Sequence, residues 1–304
     1  MIDSSVKDTS IVVKSNNMIE SAHGLTLAEQ RIVSMAIAWS RDHAAPLTIE
    51  SWIEIRADNY AELFNVDIDT AYKQMRIAAR ELIDRKIKLK GRDTKTGLRA
   101  TYLANWVSAS IYIESIGVIR LRFDEMIIAC ISQVEKSFTS YKVSNIRKLS
   151  SVYAIRLYEV LRQFKSPKKR YLSIQELREC LEADSPAYDR PDNLKARVLD
   201  PAVAQINDQT DLNITFSRVL QGRATIGYEF EISSKDDTKK PNRKLKTVQG
   251  IARKPTPKEV AQVLINPAFG HQYAYAGESK KDFENRIKEI LNNGDIKNWF
   301  EFLS

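Results

Sequence analysis

The sequence predicts an α+β fold in which two helices are followed by a β-hairpin, and this order occurs twice along the chain. In the second occurrence, apolar residues recur at helical spacing over residues 194–206 and then alternate with polar residues over 212–216, as in a strand. Residues 221–223 supply a turn, and the alternation resumes over 226–232. This is the element order of a winged-helix domain, in which a basic helix enters the DNA major groove and a ribbon contacts the backbone.

Composition limits the class of protein. A chain of 304 residues is long enough for about two domains, and its 43% hydrophobic and 28% charged residues are typical of a globular protein. Lys and Arg outnumber Asp and Glu by 47 to 39, which gives a net charge of +8 and favours a polyanionic partner. Only 10 glycines are present, which argues against glycine-rich nucleotide-binding loops.

The two cysteines, Cys130 and Cys180, stand in no metal-binding or redox spacing, so no metal and no cofactor is expected. They indicate a reducing compartment. The N-terminus has no basic stretch followed by an apolar core, and no run approaches the roughly 18 apolar residues of a membrane span. We therefore expect a cytoplasmic protein.

Taken in order, residues 1–15 are expected to be poorly ordered. Thr26 and Glu29 form a capping box that predicts a helix to about Ser40. Residues 52–55 then predict a short strand, and residues 60–64 predict a short helix.

A turn over residues 65–70 leads into a helix that ends near Arg85, and this second helix has two distinct faces. One face is apolar and the opposite face is basic. The apolar stripe is Ala71, Met75, Ala78 and Leu82, and the basic residues are Lys73, Arg76 and Arg80. A short helix, a tight turn and a basic helix predict a helix-turn-helix, although a solvated surface helix would show the same charge pattern.

A basic hairpin is predicted next. Residues 85–99 contain seven Lys or Arg against one Asp, and alternating strands follow around 106–113 and 118–123. We interpret the basic stretch as the wing of the first domain. Its candidate phosphate contacts are Lys90, Arg92, Lys95 and Arg99.

The second half of the chain predicts a connecting helix over 124–133, one long core helix over 141–164 and a basic loop over 165–170. Ser173 and Glu176 form a second capping box. Pro201 lies inside the next predicted helix and should kink or break it. The candidate DNA contacts of this domain are Arg190, Asn193, Lys195, Arg197 and Arg223.

These elements predict three segments. An N-terminal winged-helix domain spans residues 12–135, a C-terminal winged-helix domain spans 136–234, and a basic linker with a short helical accessory tail spans 235–304. The linker, residues 235–258, holds nine Lys or Arg against two Asp.

Three blocks of sequence resemble the iteron-binding replication initiators of theta-replicating plasmids. They are residues 12–37, 137–164 and 194–216, and the most specific is the central block with its LSSVYAIRLY core. Within that core, Tyr153, Arg156 and Tyr158 match the family, and core packing is the expected role of all three. The resemblance covers roughly residues 12–232 and leaves the tail outside.

The resemblance implies two winged-helix domains that bind direct repeats, called iterons, in double-stranded DNA at the plasmid origin. It implies monomers that help to melt an AT-rich segment and recruit the host replication initiator and the replicative helicase. It also implies dimers that repress the protein's own gene.

Other classes of function are disfavoured by missing motifs. His23, His43 and His271 are isolated, so neither the paired histidines of a nicking initiator nor the His-x-x-Arg element of a tyrosine recombinase is present. The chain also has no phosphate-binding loop of the G-x-x-x-x-G-K-[ST] type. We therefore expect a protein that is not an enzyme. The alternative function is that of a dimeric winged-helix transcriptional regulator without initiation activity.

Overall fold

The computed structural model describes residues 5–21, 24–42, 47–93, 95–132, 137–164, 168–235, 256–265 and 280–293. The chain forms two compact units, Met1–Lys239 and Lys240–Ser304. The first unit contains both predicted winged-helix domains. No helix within these ranges is long and apolar enough to cross a membrane.

The first winged helix is built on a three-stranded sheet of order β2-β6-β5. Helix α2 precedes it, and the capping box is confirmed: Glu29 Oε2 accepts a hydrogen bond from the Thr26 N–H at 2.8 Å, and Thr26 Oγ1 accepts from the Glu29 N–H. Asp67 caps α4 by accepting from the N–H groups of Asp69 and Thr70. The elements are α2 (Leu27–Asp42), β2 (Ile53–Arg56), α3 (Ala57–Phe64), α4 (Ile68–Glu81), β5 (Val107–Ile113) and β6 (Val118–Phe123).

A separate hairpin is inserted between α4 and β5. Its strands β3 (Lys86–Arg92) and β4 (Arg99–Asn105) form a two-stranded sheet of their own. The assignment of this basic hairpin as the wing of the first domain is therefore wrong. The β5–β6 hairpin takes the wing position, because it pairs with β2 and its turn, Glu114–Ile116 followed by Gly117, lies beside α4.

The second winged helix repeats this plan with a sheet of order β8-β10-β9. The capping box of Ser173 and Glu176 is confirmed at the start of α7, and Gly222 takes the positive φ of 61° that the β9–β10 turn requires. The elements are α6 (Val152–Arg162), β8 (Lys169–Ser173), α7 (Ile174–Leu181), α8 (Pro191–Leu194), α9 (Asp200–Gln209), β9 (Leu212–Gln221) and β10 (Ala224–Ser234).

Two predictions at the start of this domain are wrong. The single helix over 141–164 is replaced by strand β7 (Phe138–Lys142), a 3₁₀ turn (Val143–Asn145) and the shorter α6. Residues 138–142 alternate between exposed and buried side chains, which is the period of a strand. Part of the predicted basic loop is strand β8, while residues 165–167 lie outside the described ranges.

Helix α8 continues into α9 through a π-helical turn, Lys195–Leu199. The Asp200 N–H donates to the Lys195 carbonyl five residues earlier, and Pro201, which has no N–H to donate, follows directly after this widened turn. The predicted break at Pro201 does not occur. The helix widens one turn earlier instead.

The N-terminal segment also differs from the expectation of disorder. Strand β1 (Ile11–Ser15) pairs antiparallel with β7, so that Val12 faces Tyr141. The short helix α1 (Asn16–Glu20) follows it directly. Helix α5 (Glu125–Ile131) matches the predicted connecting helix. Residues 1–4 lie outside the described ranges.

The second unit contains two described helices, α10 (Pro257–Ile265) and α11 (Lys280–Asn293), which contact each other. Val263 and Ile287 are fully buried. The tail thus contains short helices, as the sequence predicts. Most of the predicted basic linker, residues 236–255, lies outside the described ranges.

Candidate nucleic-acid interface

The two faces predicted for α4 are confirmed. The apolar stripe belongs to the core, and none of its side chains is more than 1% exposed. Its residues are Ala71, Met75, Ala78 and Leu82. The side chains of Lys73, Arg76 and Arg80 are exposed. Arg80 makes one surface ion pair, with Glu81, and remains 78% exposed. Helix α4 therefore presents three cations to solvent on the side opposite the core.

A surface groove runs between α4 and the β5–β6 hairpin. Lys73 and Arg76 line it from the helix, while Tyr112 and Glu114 line it from the hairpin. The Tyr112 hydroxyl donates to the Tyr72 carbonyl at 3.4 Å. The wing of the first domain thus carries an acidic residue beside the basic helix.

The inserted β3–β4 hairpin has one apolar and one basic face. Ile87 and Leu89 are buried, whereas the alternate side chains are exposed. Because Lys90 pairs with Thr101 and Arg92 pairs with Arg99, cations of both strands lie on the same face. The exposed cations of this hairpin are Lys86, Lys88, Lys90, Arg92, Lys95 and Arg99.

Asn17 holds this hairpin against α1. Its Nδ2 donates to the Lys90 carbonyl at 2.7 Å, and its Oδ1 accepts from the Lys90 N–H at 3.2 Å. At the tip, Arg92 donates to the Gly97 carbonyl and Asp93 accepts from two N–H groups of the turn. The hairpin backbone is thus fixed while its cations remain open to solvent.

In the second domain the candidate residues divide into two groups. Arg190, Arg197 and Arg223 are exposed. Asn193 is half-buried, and its Nδ2 donates to the Ala187 carbonyl at 2.9 Å. Lys195 Nζ lies 2.8 Å from Asp200 Oδ1 and 5.4 Å from the centroid of the Phe216 ring. Asn193 and Lys195 therefore already have partners within the chain.

Some surface residues of these elements were missed by the sequence analysis. Lys86 and Lys88 share the face of Lys90, and strand alternation alone could have found them. Arg218 on β9 is 45% exposed and lies 2.6 Å from Asp192 Oδ1 at the start of α8. No local signal could have found Arg218, because its position depends on how the ribbon packs on the helix.

The matched family core is interior, as expected. Arg156 is 1% exposed, and its guanidinium donates to the Cys180 carbonyl and, at 2.7 Å, to the Ser21 carbonyl. Tyr158 is fully buried and donates to Asp211. Tyr153 packs edge-on against Tyr188. These residues join α1, α6 and α7 and are not part of the exposed basic surface.

Comparisons with known proteins agree with this architecture. A family model described as "Initiator Replication protein, WH1" matches residues 11–162, and one described as "Initiator Rep protein, WH2" matches residues 173–232. A PI protein of Escherichia coli is 27% identical over 253 residues, covering 73% of this chain and 82% of that relative. A replication initiation protein of Escherichia coli is 22% identical over 233 residues, covering 75% of this chain and 71% of the relative.

Among solved structures, the crystal structure of the Pi initiator protein in complex with iteron DNA is similar at a TM-score of 0.62 and 25% sequence identity. The similarity covers 75% of this chain and 98% of that one. The matched residues include both winged helices and the buried helix α6. The chain belongs to the initiator replication protein family, with a WH1 and a WH2 domain in tandem.

Proposed function

We propose that this protein initiates plasmid replication by binding direct repeats, or iterons, in the double-stranded DNA of a plasmid origin. The observation that carries the proposal is the pair of helix-turn-helix units within one compact unit. Helix α4 exposes Lys73, Arg76 and Arg80, and the α8–α9 helix exposes Arg197. A relative of similar fold, the Pi initiator protein, has been solved in complex with iteron DNA.

In this proposal each helix enters a major groove of the repeat. Arginine can donate two hydrogen bonds to the O6 and N7 atoms of guanine, which makes Arg76, Arg80 and Arg197 the preferred base-reading candidates. Lys73 lacks the two-pronged donor geometry of arginine, and Arg190 stands at the N-cap of α8, so phosphate contact is equally suitable for both. Asn193 and Lys195 would first have to release Ala187 and Asp200.

The hairpins supply contacts that do not depend on base sequence. The exposed cations of the β3–β4 hairpin and Arg223 at the β9–β10 turn are suited to phosphates. Phosphate contacts release counterions, so they make affinity steeply dependent on salt. The net charge of +8 supports this contribution.

The later steps of initiation follow from binding. We propose that monomers bound to the repeats help to open an adjacent AT-rich segment and recruit the host replication initiator and the replicative helicase. Dimers would repress the protein's own gene. The protein acts by binding in this scheme, and host enzymes supply the catalysis.

Footprinting of the DNA next to the protein's own gene, across a series of salt concentrations, tests the proposal. We expect protection of several evenly spaced direct repeats beside an AT-rich segment, with a salt slope that reports the number of phosphate contacts. Protection of a single inverted repeat would instead support the dimeric transcriptional regulator. The absence of any specific protection would contradict both functions.

Permanganate oxidation of the same supercoiled DNA tests opening separately, because unpaired thymines react and paired thymines are shielded. We expect new reactivity in the AT-rich segment only when the protein and the host initiator are present. Binding to the repeats without such reactivity would support a DNA-binding regulator and would contradict the proposed opening of the origin.

A further inference from the structure

Helix α4 carries a large exposed apolar side chain beside its three exposed cations. Ile77 is 53% exposed, although isoleucine is among the residues most often buried. Lys73 lies four residues before it and Arg80 three residues after it, and these spacings place side chains on one face of an α-helix. The core-facing stripe of α4 lies on the opposite side, so Ile77 contributes nothing to the core.

Helix stability does not account for Ile77 either. Isoleucine is branched at Cβ and is a poorer helix former than Ala, Lys or Glu at an exposed position. A single exposed apolar residue needs no explanation by itself. What distinguishes Ile77 is its place among Lys73, Arg76 and Arg80, on the helix proposed to enter the major groove.

The chemistry of the major groove offers one partner for such a side chain. Phosphates and most groups on the base edges are polar or charged, whereas thymine displays a methyl group at C5 that apolar side chains contact. Burying Ile77 against that methyl group would remove apolar surface of both partners from water. Cytosine has only a hydrogen at the same position.

We propose that Ile77 contacts the C5-methyl group of a thymine in the repeat and makes α4 selective for an A·T pair at that position. This inference rests on the proposed function and adds to it a specificity contact that the basic residues do not provide. The neighbouring cations hold the helix in the groove, and Ile77 distinguishes thymine from the other bases there.

Thymine-to-deoxyuracil replacement in a duplex carrying the protected repeat tests the contact, because it removes the C5-methyl group and nothing else. Each thymine is replaced in turn, and the dissociation constant is measured for the wild-type protein and for Ile77→Ala. We expect one position at which deoxyuracil weakens wild-type binding by about fourfold, the effect of losing one buried methyl-sized group. Ile77→Ala should bind unmodified DNA more weakly and show no further loss at that position.

Ile49→Ala is the matched control. Ile49 is 56% exposed and precedes β2 at the strand end opposite the one that faces Gly117 and α4. We expect this variant to respond to every deoxyuracil as the wild type does. Ile77→Ala should fold normally, since alanine is the best helix former and the replaced side chain is outside the core.

Equal deoxyuracil effects in the wild type and in Ile77→Ala at every position would overturn the inference while leaving the proposed function intact. A change of oligomeric state in Ile77→Ala, measured by sedimentation, without any altered response to deoxyuracil would also overturn it. If the wild-type protein protected no repeat, the proposed function would fail and the inference with it.

Discussion

Arg197 and Lys195 lie two residues apart on the π-helical turn and have different surroundings. Lys195 is paired with Asp200 and lies over the Phe216 ring, whereas Arg197 is exposed. In an α-helix, ion pairs form between residues three or four apart, so the five-residue spacing of Lys195 and Asp200 gave no signal. The π-helical turn brings residues five apart onto neighbouring positions. The partner of Lys195 could not be predicted, because the widened turn itself was not predicted.

Arg197→Ala is expected to weaken binding to the cognate repeat by about 1–3 kcal/mol, since a base-reading arginine contributes that much discrimination. Arg197→Lys is the matched control, because it keeps the charge and loses the two-pronged donor geometry. Gel-shift titrations with the repeat and with unrelated DNA measure both variants. If Arg197→Ala bound the cognate repeat as tightly as the wild type does, Arg197 would not be a DNA contact.

Two turn glycines allow the cost of a positive φ to be distinguished from the cost of a steric clash. Gly97 and Gly117 have φ values of 71° and 60°, which an L side chain adopts at a cost of about 1–2 kcal/mol. A Cβ at Gly97 would meet nothing within 4 Å, whereas a Cβ at Gly117 would lie 2.2 Å from Tyr72 Cε1. Only the second substitution forces a side chain of α4 to move.

We therefore expect Gly97→Ala to lower the free energy of unfolding by about 1–2 kcal/mol and Gly117→Ala to lower it by about 1–3 kcal/mol more. Urea denaturation measures both. Adding Tyr72→Ala to Gly117→Ala should remove much of the extra loss, because it removes the ring that the new Cβ meets. If both substitutions lowered the free energy of unfolding equally, contact with Tyr72 would add no cost at Gly117.

Among the elements, those with a strong local pattern were predictable, and those defined by distant pairing were not. The amphipathic α4, the caps at Thr26 and Ser173 and the β9–β10 hairpin each follow from a few neighbouring residues. The wing of the first domain was misassigned because β2 pairs with β6, more than sixty residues away, and no local signal reports that pairing. The basic β3–β4 hairpin was predicted to be the wing instead, because it has the stronger charge pattern.

The cations of that inserted hairpin allow a test of its contribution. Lys95→Ala is expected to reduce affinity slightly for all DNA sequences alike and to make the salt dependence shallower by about one unit of slope, as for the loss of one phosphate contact. Affinities for the repeat and for unrelated DNA, measured across a salt series, would check this. A loss confined to the repeat would instead indicate base reading by Lys95.

At the scale of the whole molecule, the N-terminal strand β1 joins two segments that the sequence predicts to be separate domains. Residues 12–135 and 136–234 remain the predicted domains, yet β1 from the first pairs with β7 from the second. Lys14 on β1 also lies 2.7 Å from Glu159 on α6, and their side chains are 3% and 1% exposed. The Tyr141 hydroxyl donates to the same carboxylate. Burial, together with Glu159, holds the pKa of Tyr141 well above its usual value. The phenol therefore stays protonated and acts as a hydrogen-bond donor.

A buried ion pair of this kind is costly to break from one side, because the remaining charge stays away from water without its partner. Lys14→Met should therefore lower the free energy of unfolding by about 3–5 kcal/mol. The double variant Lys14→Met with Glu159→Leu should lose less than the two single variants together, since it leaves no unpaired charge. Urea denaturation of the three variants measures the coupling.

The surface pair of Arg56 and Asp58 is the matched control for this comparison. Its side chains are 46% and 62% exposed, so Asp58→Ala should cost no more than about 1 kcal/mol. If Lys14→Met lost no more stability than Asp58→Ala, the buried pair would not hold β1 to α6. The N-terminal strand would then owe its place to its backbone pairing with β7 and to the apolar contacts of Val12.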